Sequence, residues 1–288
     1  MPARHLIAPA SVSFAAFGSF WGVWGASIPR VQQQAGVDAG ELGIALLFVG
    51  AGALPAMLLT GRALDRWGLR VAAALISALG VAGAAVALTA ADLASLCVGL
   101  AVVGATSGAA DVANNALAGR AEKIAGRPVI TRAHGVFSAL VVLGSLATGL
   151  AAAAALPVAV PFITVAGLCL ATGAGLLRTL PAGVTRARRP DRPTTGRPKA
   201  GPFVLVGVLG ALAFASENAH QSWSAVFAHD ELRSGAGLSA VAPAVFAATV
   251  AVTRFAIGGV NPAHARTVLL TGASVAAAGT ALIAAAPT

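Results

Sequence analysis

A chain of 288 residues with 57% hydrophobic side chains, only 10% charged ones and a mean hydropathy of +0.84 is neither a soluble globular protein, in which about a quarter of residues are charged, nor a disordered one. The formal net charge of +9 does not indicate a nucleic-acid partner, because the basic residues stand in short breaks between apolar stretches and form no basic face with interleaved aromatics. The composition is that of an all-α polytopic membrane protein whose solvent is lipid. Cys97 and Cys169 each lie inside an apolar run. They offer neither a disulfide framework nor a metal cluster, and no metal or cofactor is expected.

A membrane-crossing helix needs about 20 apolar residues, so the intervals between charges locate the spans. Arg4 to Arg30, Glu41 to Arg62, Arg70 to Asp92, Arg233 to Arg254 and Arg266 to the end each predict one helix. The uncharged run from Gly135 to Leu177 is long enough for two, with Pro157 and Pro161 marking the turn between them. Two further spans contain single acids, Asp111 and Glu217. The spacing thus predicts about nine transmembrane helices, at approximately 8–28, 42–60, 71–91, 93–118, 135–155, 158–177, 202–223, 237–258 and 267–285. Only Arg4 and His5 precede the first span, which carries Trp21 and Trp24, so it is read as a retained helix rather than a cleaved signal peptide.

With the N-terminus in the cytoplasm, 17 of the 19 basic residues fall on the cytoplasmic side and only Arg30 and Arg233 on the other, as the positive-inside rule requires. The chain divides into a six-helix bundle over 1–177, a basic, proline-rich cytoplasmic linker over 178–201 and a partial bundle of three helices over 202–288.

Between the second and third helices lies GRALDRWGLR, residues 61–70. Gly61 and Gly68 are expected to permit a tight turn, and Asp65 stands among Arg62, Arg66 and Arg70, a charge cluster suited to locking one packing arrangement and releasing it in another. The spacing G-x-x-x-D-R-x-G-x-R, carried here by Gly61, Asp65, Arg66, Gly68 and Arg70, resembles the inter-helix signature of the major facilitator superfamily at each defining position. DVANNALAGRAEK (111–123), RAHGVFSALVVLGS (132–145) and SENAHQSWSAVF (216–227) are similar to a bacterial branch related to fucose-type sugar permeases.

The resemblance implies two helical halves that rock about a central cavity, a small polar solute and a proton as partners, a monomer surrounded by lipid, and a bacterial cytoplasmic membrane. It also implies that Asp65 works against an eleventh helix, and that the first, fourth and seventh helices line the cavity with a tenth. Members usually have twelve helices or more, whereas Thr288 follows the ninth. The sequence is therefore expected to be a fragment of a longer protein or an incomplete gene product. The second-half counterpart of the signature, TRFAIGGVNPAHAR (253–266), keeps Gly259 and Arg266 without an acid. Leu100 stands where drug/proton antiporters carry an arginine ahead of Gly104, and the fifth helix lacks their Gly-Pro signature. Uptake is favoured over drug export.

A carboxylate at membrane depth must be paired, protonated or facing water. Asp111, Asn114 and Asn115 share one face of the fourth helix, and Glu217, His220 and Gln221 repeat that spacing on the seventh, with Trp223 beyond. The functional reading is that the amides with Trp24 and Trp223 bind the solute while Glu217 or Asp111 takes up and releases a proton. Each has a structural alternative: pairing of Asp111 with Arg120 or Arg132, a hydrogen-bonded His220, and an interfacial position for Trp24. Gly104 and Gly108 read as a close-packing pair. No Walker loop, nucleophile elbow or H-E-x-x-H is present, so ATP-driven transport and membrane proteolysis have no support. The sequence reads as a proton-coupled secondary transporter and not an enzyme. The rivals are a non-transporting derivative of a transporter and an intramembrane enzyme using Asp111 or Glu217 with His220.

Overall fold

The structure, a computed structural model, describes residues 4–181, 200–257 and 262–285. Its elements are α1 (Arg4–Ala35), α2 (Ala39–Trp67), α3 (Val71–Thr89), α4 (Leu93–Ala125), α5 (Ile130–Ala153), α6 (Ala159–Thr179), α7 (Ala200–Asp230), the short α8 (Ala236–Ser239), α9 (Val241–Ile257) and α10 (Ala265–Ala284). There is no strand among the described residues. Most of the predicted linker, 182–199, lies outside them, as does 258–261 of the second-half signature.

Each predicted interval contains a helix. By length and hydropathy, the described residues hold 8 candidate membrane spans, because the 51-residue stretch Ala39–Thr89 counts as one. A single helix of that length would be roughly 75 Å long, more than twice the hydrocarbon thickness. The stretch is in fact α2 and α3, separated at Gly68, whose φ of 71° is natural only for glycine. The predicted eighth span also divides, at Ala240, just before Pro243 in the first turn of α9.

Several helices run past their predicted ends, because a charge does not stop a helix and a cap does. α4 continues to Gly126, which takes the left-handed conformation with φ 62°. Glu41 and Asp92, which bound spans in the charge-spacing argument, take part in complete capping boxes: Asp38 is the N-cap of α2 with Glu41 as its partner, and Asp92 is the N-cap of α4 with Ser95.

α1 runs through the middle of the first six helices, with Phe14, Phe20, Trp24 and Ile28 fully buried against α4, α5 and α6. α2 packs on α4 through small residues: a Cβ on Gly104 would overlap the Val49 carbonyl, and one on Gly108 would meet the Ala53 Cβ at 2.9 Å. This is the close approach expected of that glycine pair. Cys97 and Cys169 are buried and free. The outward face is apolar, with Leu47, Leu54, Leu58 and Val98 exposed, as lipid-facing residues should be.

α7, α8 and α9 lean on this bundle through α1 and α5. At the end of α1, Arg30 donates to the Leu156 carbonyl at 2.6 Å, Gln34 donates to the carbonyls of Ala87 and Ala90 at 3.1 and 2.9 Å, and Gln33 meets His229 of α7 at 2.8 Å. The first half of α7, from Phe203 to Phe214, and all of α10 expose their apolar side chains.

Candidate functional site

Polar side chains are scarce inside the helices, and several of those that bond to a different helix gather in one layer. It lies in the first turns of α5 and the last turn of α9. In α4, Asn114 is fully buried and its Oδ1 accepts from the Ser13 hydroxyl of α1 at 2.6 Å, while its Nδ2 has no partner. A buried amide donor left unpaired in an apolar setting costs on the order of 1–3 kcal/mol. Asn115 lies on the same helix face and donates to the Asp111 carbonyl at 2.9 Å and to its carboxylate at 3.0 Å. His134 of α5 joins the group through Phe14, the neighbour of Ser13 on α1. Its ring packs against Phe14 with centroids 4.8 Å apart, and its Nδ1 bonds the Ile130 carbonyl at 3.0 Å.

The second half joins the layer through Arg254. Its Nη2 lies 3.0 and 3.4 Å from the two oxygens of Glu217 on α7, and its Nη1 donates to the Ser138 hydroxyl at 2.7 Å and to the His134 carbonyl at 3.5 Å, both on α5. The two sides of one guanidinium thus serve different helices, which the planar fork of arginine allows. The neighbouring Phe255 occupies the space a side chain on Gly135 would need, bringing α9 close enough for the arginine to reach. The pair is half-buried, with side-chain exposures of 25% for Arg254 and 38% for Glu217.

The other predicted residues divide between helices. His220 stacks on Phe246 of α9 with centroids 5.2 Å apart and bonds back to the Ser216 carbonyl at 2.8 Å, so its structural alternative is the geometry observed. Gln221 turns instead toward α1, 3.5 Å from the Trp21 carbonyl. Trp223 lies over Gly43 of α2 and packs on the core. Trp24 is 1% exposed and packs edge-on against Phe162 of α6.

In the signature loop, Gly61 lies within α2 with open space where a side chain would be, so the expected close approach there does not occur; Gly68 alone makes the turn. Arg70 donates to the Leu180 carbonyl at 3.1 Å, and Arg66 lies over the Trp67 ring at 5.5 Å. Asp65 is exposed and makes no ion pair among the described residues.

Sequence reasoning missed Arg254, which it counted as a loop cation, and Ser13 and Ser138. The signal for Arg254 was its position inside the predicted 237–258 span, where a cation needs a partner as much as Glu217 does.

The fold and layer define a class: a polytopic helical membrane protein in which intramembrane charge is concentrated where two groups of helices meet. A family model for the Major Facilitator Superfamily matches residues 10–288, and the chain belongs to that superfamily. It is 31% identical over 239 residues to a Sinorhizobium fredii protein named as an uncharacterized transporter, y4wD, covering 79% of this chain and 61% of that one. It is 29% identical over 218 residues to an uncharacterized MFS-type transporter of Yersinia pestis, covering 71% of this chain and 52% of the relative. The chain thus spans between half and two thirds of the length of these curated relatives.

Proposed function

We propose that the protein is a secondary active transporter of a small polar solute, coupled to protons and working by alternating access in a bacterial cytoplasmic membrane with its N-terminus inside. The observation that carries this reading is the Glu217–Arg254–Ser138 link. It is a charged connection inside apolar helices, and it joins the two groups of helices that must move against each other. A structural protein gains little by placing an ion pair there, since well-packed apolar residues of similar volume serve as well.

In this reading Glu217 carries the proton, and its partner Arg254 keeps the deprotonated form tolerable within the membrane. The unpaired Asn114 amide, with Asn115 and Asp111 beside it, offers hydrogen bonds to the solute from the first half; Gln221 and Trp223 offer a polar and an aromatic contact from the second. His220 supports α7 against α9. The signature loop of Gly61, Asp65, Arg66, Gly68 and Arg70 acts at a distance from the layer, on the equilibrium between states. The test is proton movement in proteoliposomes carrying a pH-sensitive dye: an inward solute gradient should acidify the lumen without ATP. Solute entry that leaves lumenal pH unchanged would remove the proton from the proposal, and no entry of any solute would remove transport.

A further inference from the structure

We infer that the solute carries a carboxylate, and that this carboxylate takes the place of the Glu217 side chain on Arg254. The inference rests on the proposed proton coupling through Glu217 and adds the substrate class. An arginine side chain is protonated at every accessible pH, so the cation at Arg254 persists throughout any transport cycle. Among the described residues its one carboxylate partner is Glu217, held through both oxygens at 3.0 and 3.4 Å. Ser138 and the His134 carbonyl, which take the other nitrogen, are neutral.

When Glu217 binds a proton, Arg254 loses its counter-charge within the membrane, which is costly unless another anion replaces it. A neutral solute does not repay that cost. A carboxylate does, because it presents the same two oxygens to the nitrogen that Glu217 vacates. The exchange balances: one proton goes to the Glu217 carboxylate, one solute carboxylate goes to the Arg254 guanidinium, and the net charge of the layer is unchanged. Proton and anion therefore favour each other's binding, as coupled carriage requires.

The surroundings fit this exchange. Arg254 and Glu217 are 25% and 38% exposed, so the described helices do not seal the pair. The Asn114 amide in the same layer is a buried donor without an acceptor. The other titratable groups of the layer are His134 on α5, Asp111 on α4 and His220 on α7 itself; α8 contributes none, and α1 contributes Ser13 and Phe14 there. Asp111 already accepts from Asn115, while Arg254 has a carboxylate partner that a solute carboxylate can replace.

The experiment is thermal unfolding of the full chain in nanodiscs with acetate, lactate, succinate and benzoate, beside inorganic phosphate and glucose, at pH 5.5 and 7.5, each sodium salt referred to sodium chloride of equal ionic strength. At least one of the four carboxylates should raise the melting temperature, with a higher apparent affinity at pH 5.5 than at 7.5. In Glu217→Gln that affinity should become the same at both pH values and be no lower than the native protein's value at pH 5.5. In Arg254→Gln it should vanish. If Arg254→Gln fails to fold, the double variant Arg254→Gln/Glu217→Gln, which is neutral at both positions, takes its place.

The inference is overturned if none of the four carboxylates stabilises the protein, if stabilisation survives loss of Arg254, if the pH dependence survives in Glu217→Gln, or if phosphate or glucose alone stabilises. Proton flux in proteoliposomes reports separately. Flux with glucose and no carboxylate binding would leave the transporter reading standing without this one, and carboxylate binding without flux would do the reverse.

Discussion

Arg254 of α9 donates to the Ser138 hydroxyl of α5 at 2.7 Å while its other terminal nitrogen holds Glu217 of α7 at 3.0 Å. The link between α5 and the later helices therefore depends on a charge whose balance lies on a third helix. Any event that changes the charge of Glu217 is felt at Ser138.

The first prediction separates the pair's own worth from the cost of breaking it. Removing Arg254 alone, as in Arg254→Met, leaves a carboxylate among apolar helices and should destabilise the protein by about 1–2 kcal/mol, less than for a fully buried pair because both partners are part-exposed. Adding Glu217→Gln should recover most of that loss. The measurement is the unfolding midpoint of both single variants and the double in nanodiscs. Strictly additive losses would show that water, not Arg254, solvates Glu217.

Two glycines should respond in opposite ways. A side chain at Gly104 would run into the Val49 carbonyl of α2, which no rotamer change can relieve, so Gly104→Leu should sharply reduce the yield of folded protein. Gly61 has open space around it inside α2. Gly61→Ala should fold at least as well, with a gain of about 0.5–1 kcal/mol from helix propensity. Size-exclusion profiles of the purified variants report the folded yield. If Gly61→Ala folds well and its flux is lost, the glycine of the signature serves motion rather than packing.

The helices were legible because lipid imposes a single rule, an apolar run of sufficient length, and the gaps between charges report it directly. Their ends were less so. Glu41 and Asp92 were legible as charges, but their part in the helix caps lies in hydrogen bonds, from the Glu41 N–H to Asp38 and from the Ser95 N–H to Asp92. Asp111, Asn114, Asn115 and Glu217 stood out because polar groups are rare in such helices. Ser13 and Ser138 did not, since a serine in a membrane helix usually bonds to its own backbone, as Ser19 does to the Ala15 carbonyl. Trp24 shows the converse: a large aromatic suggests a binding surface in the sequence, yet it fills the space between α1 and α6. Which neighbour a helix face meets depends on tertiary packing, and one sequence does not contain that information.

Topology gives the third prediction. With the N-terminus inside, the turn between α4 and α5 faces the cytoplasm and the turn between α7 and α8 faces outward. Arg127→Cys should be labelled by a membrane-impermeant maleimide only after the cells are opened, and Ser234→Cys in intact cells. The two native cysteines are buried, so background labelling should be low. Labelling of both positions from one side would require a different number of crossings between them.

The last prediction concerns Asp92, which lies outside the spans in the turn before α4. Its carboxylate accepts from the Ser95 backbone N–H at 2.7 Å and from the Ser95 hydroxyl at 2.8 Å. The backbone bond first, then the hydroxyl, holds its pKa below the ordinary value of 3.8. A carboxyl whose pKa is lower in the folded state stabilises the fold above its unfolded pKa, and that contribution is lost as the pH falls through the folded value. Asp92→Asn retains an oxygen that caps the helix without titrating. The melting temperature of the native protein should therefore exceed that of the variant at pH 6, where the charge also favours the helix N-terminus. The gap should narrow steadily below pH 4. Because every other acid is common to both proteins, the difference isolates Asp92, and a gap that stays constant down to pH 3 would show that the cap works through geometry and not through charge.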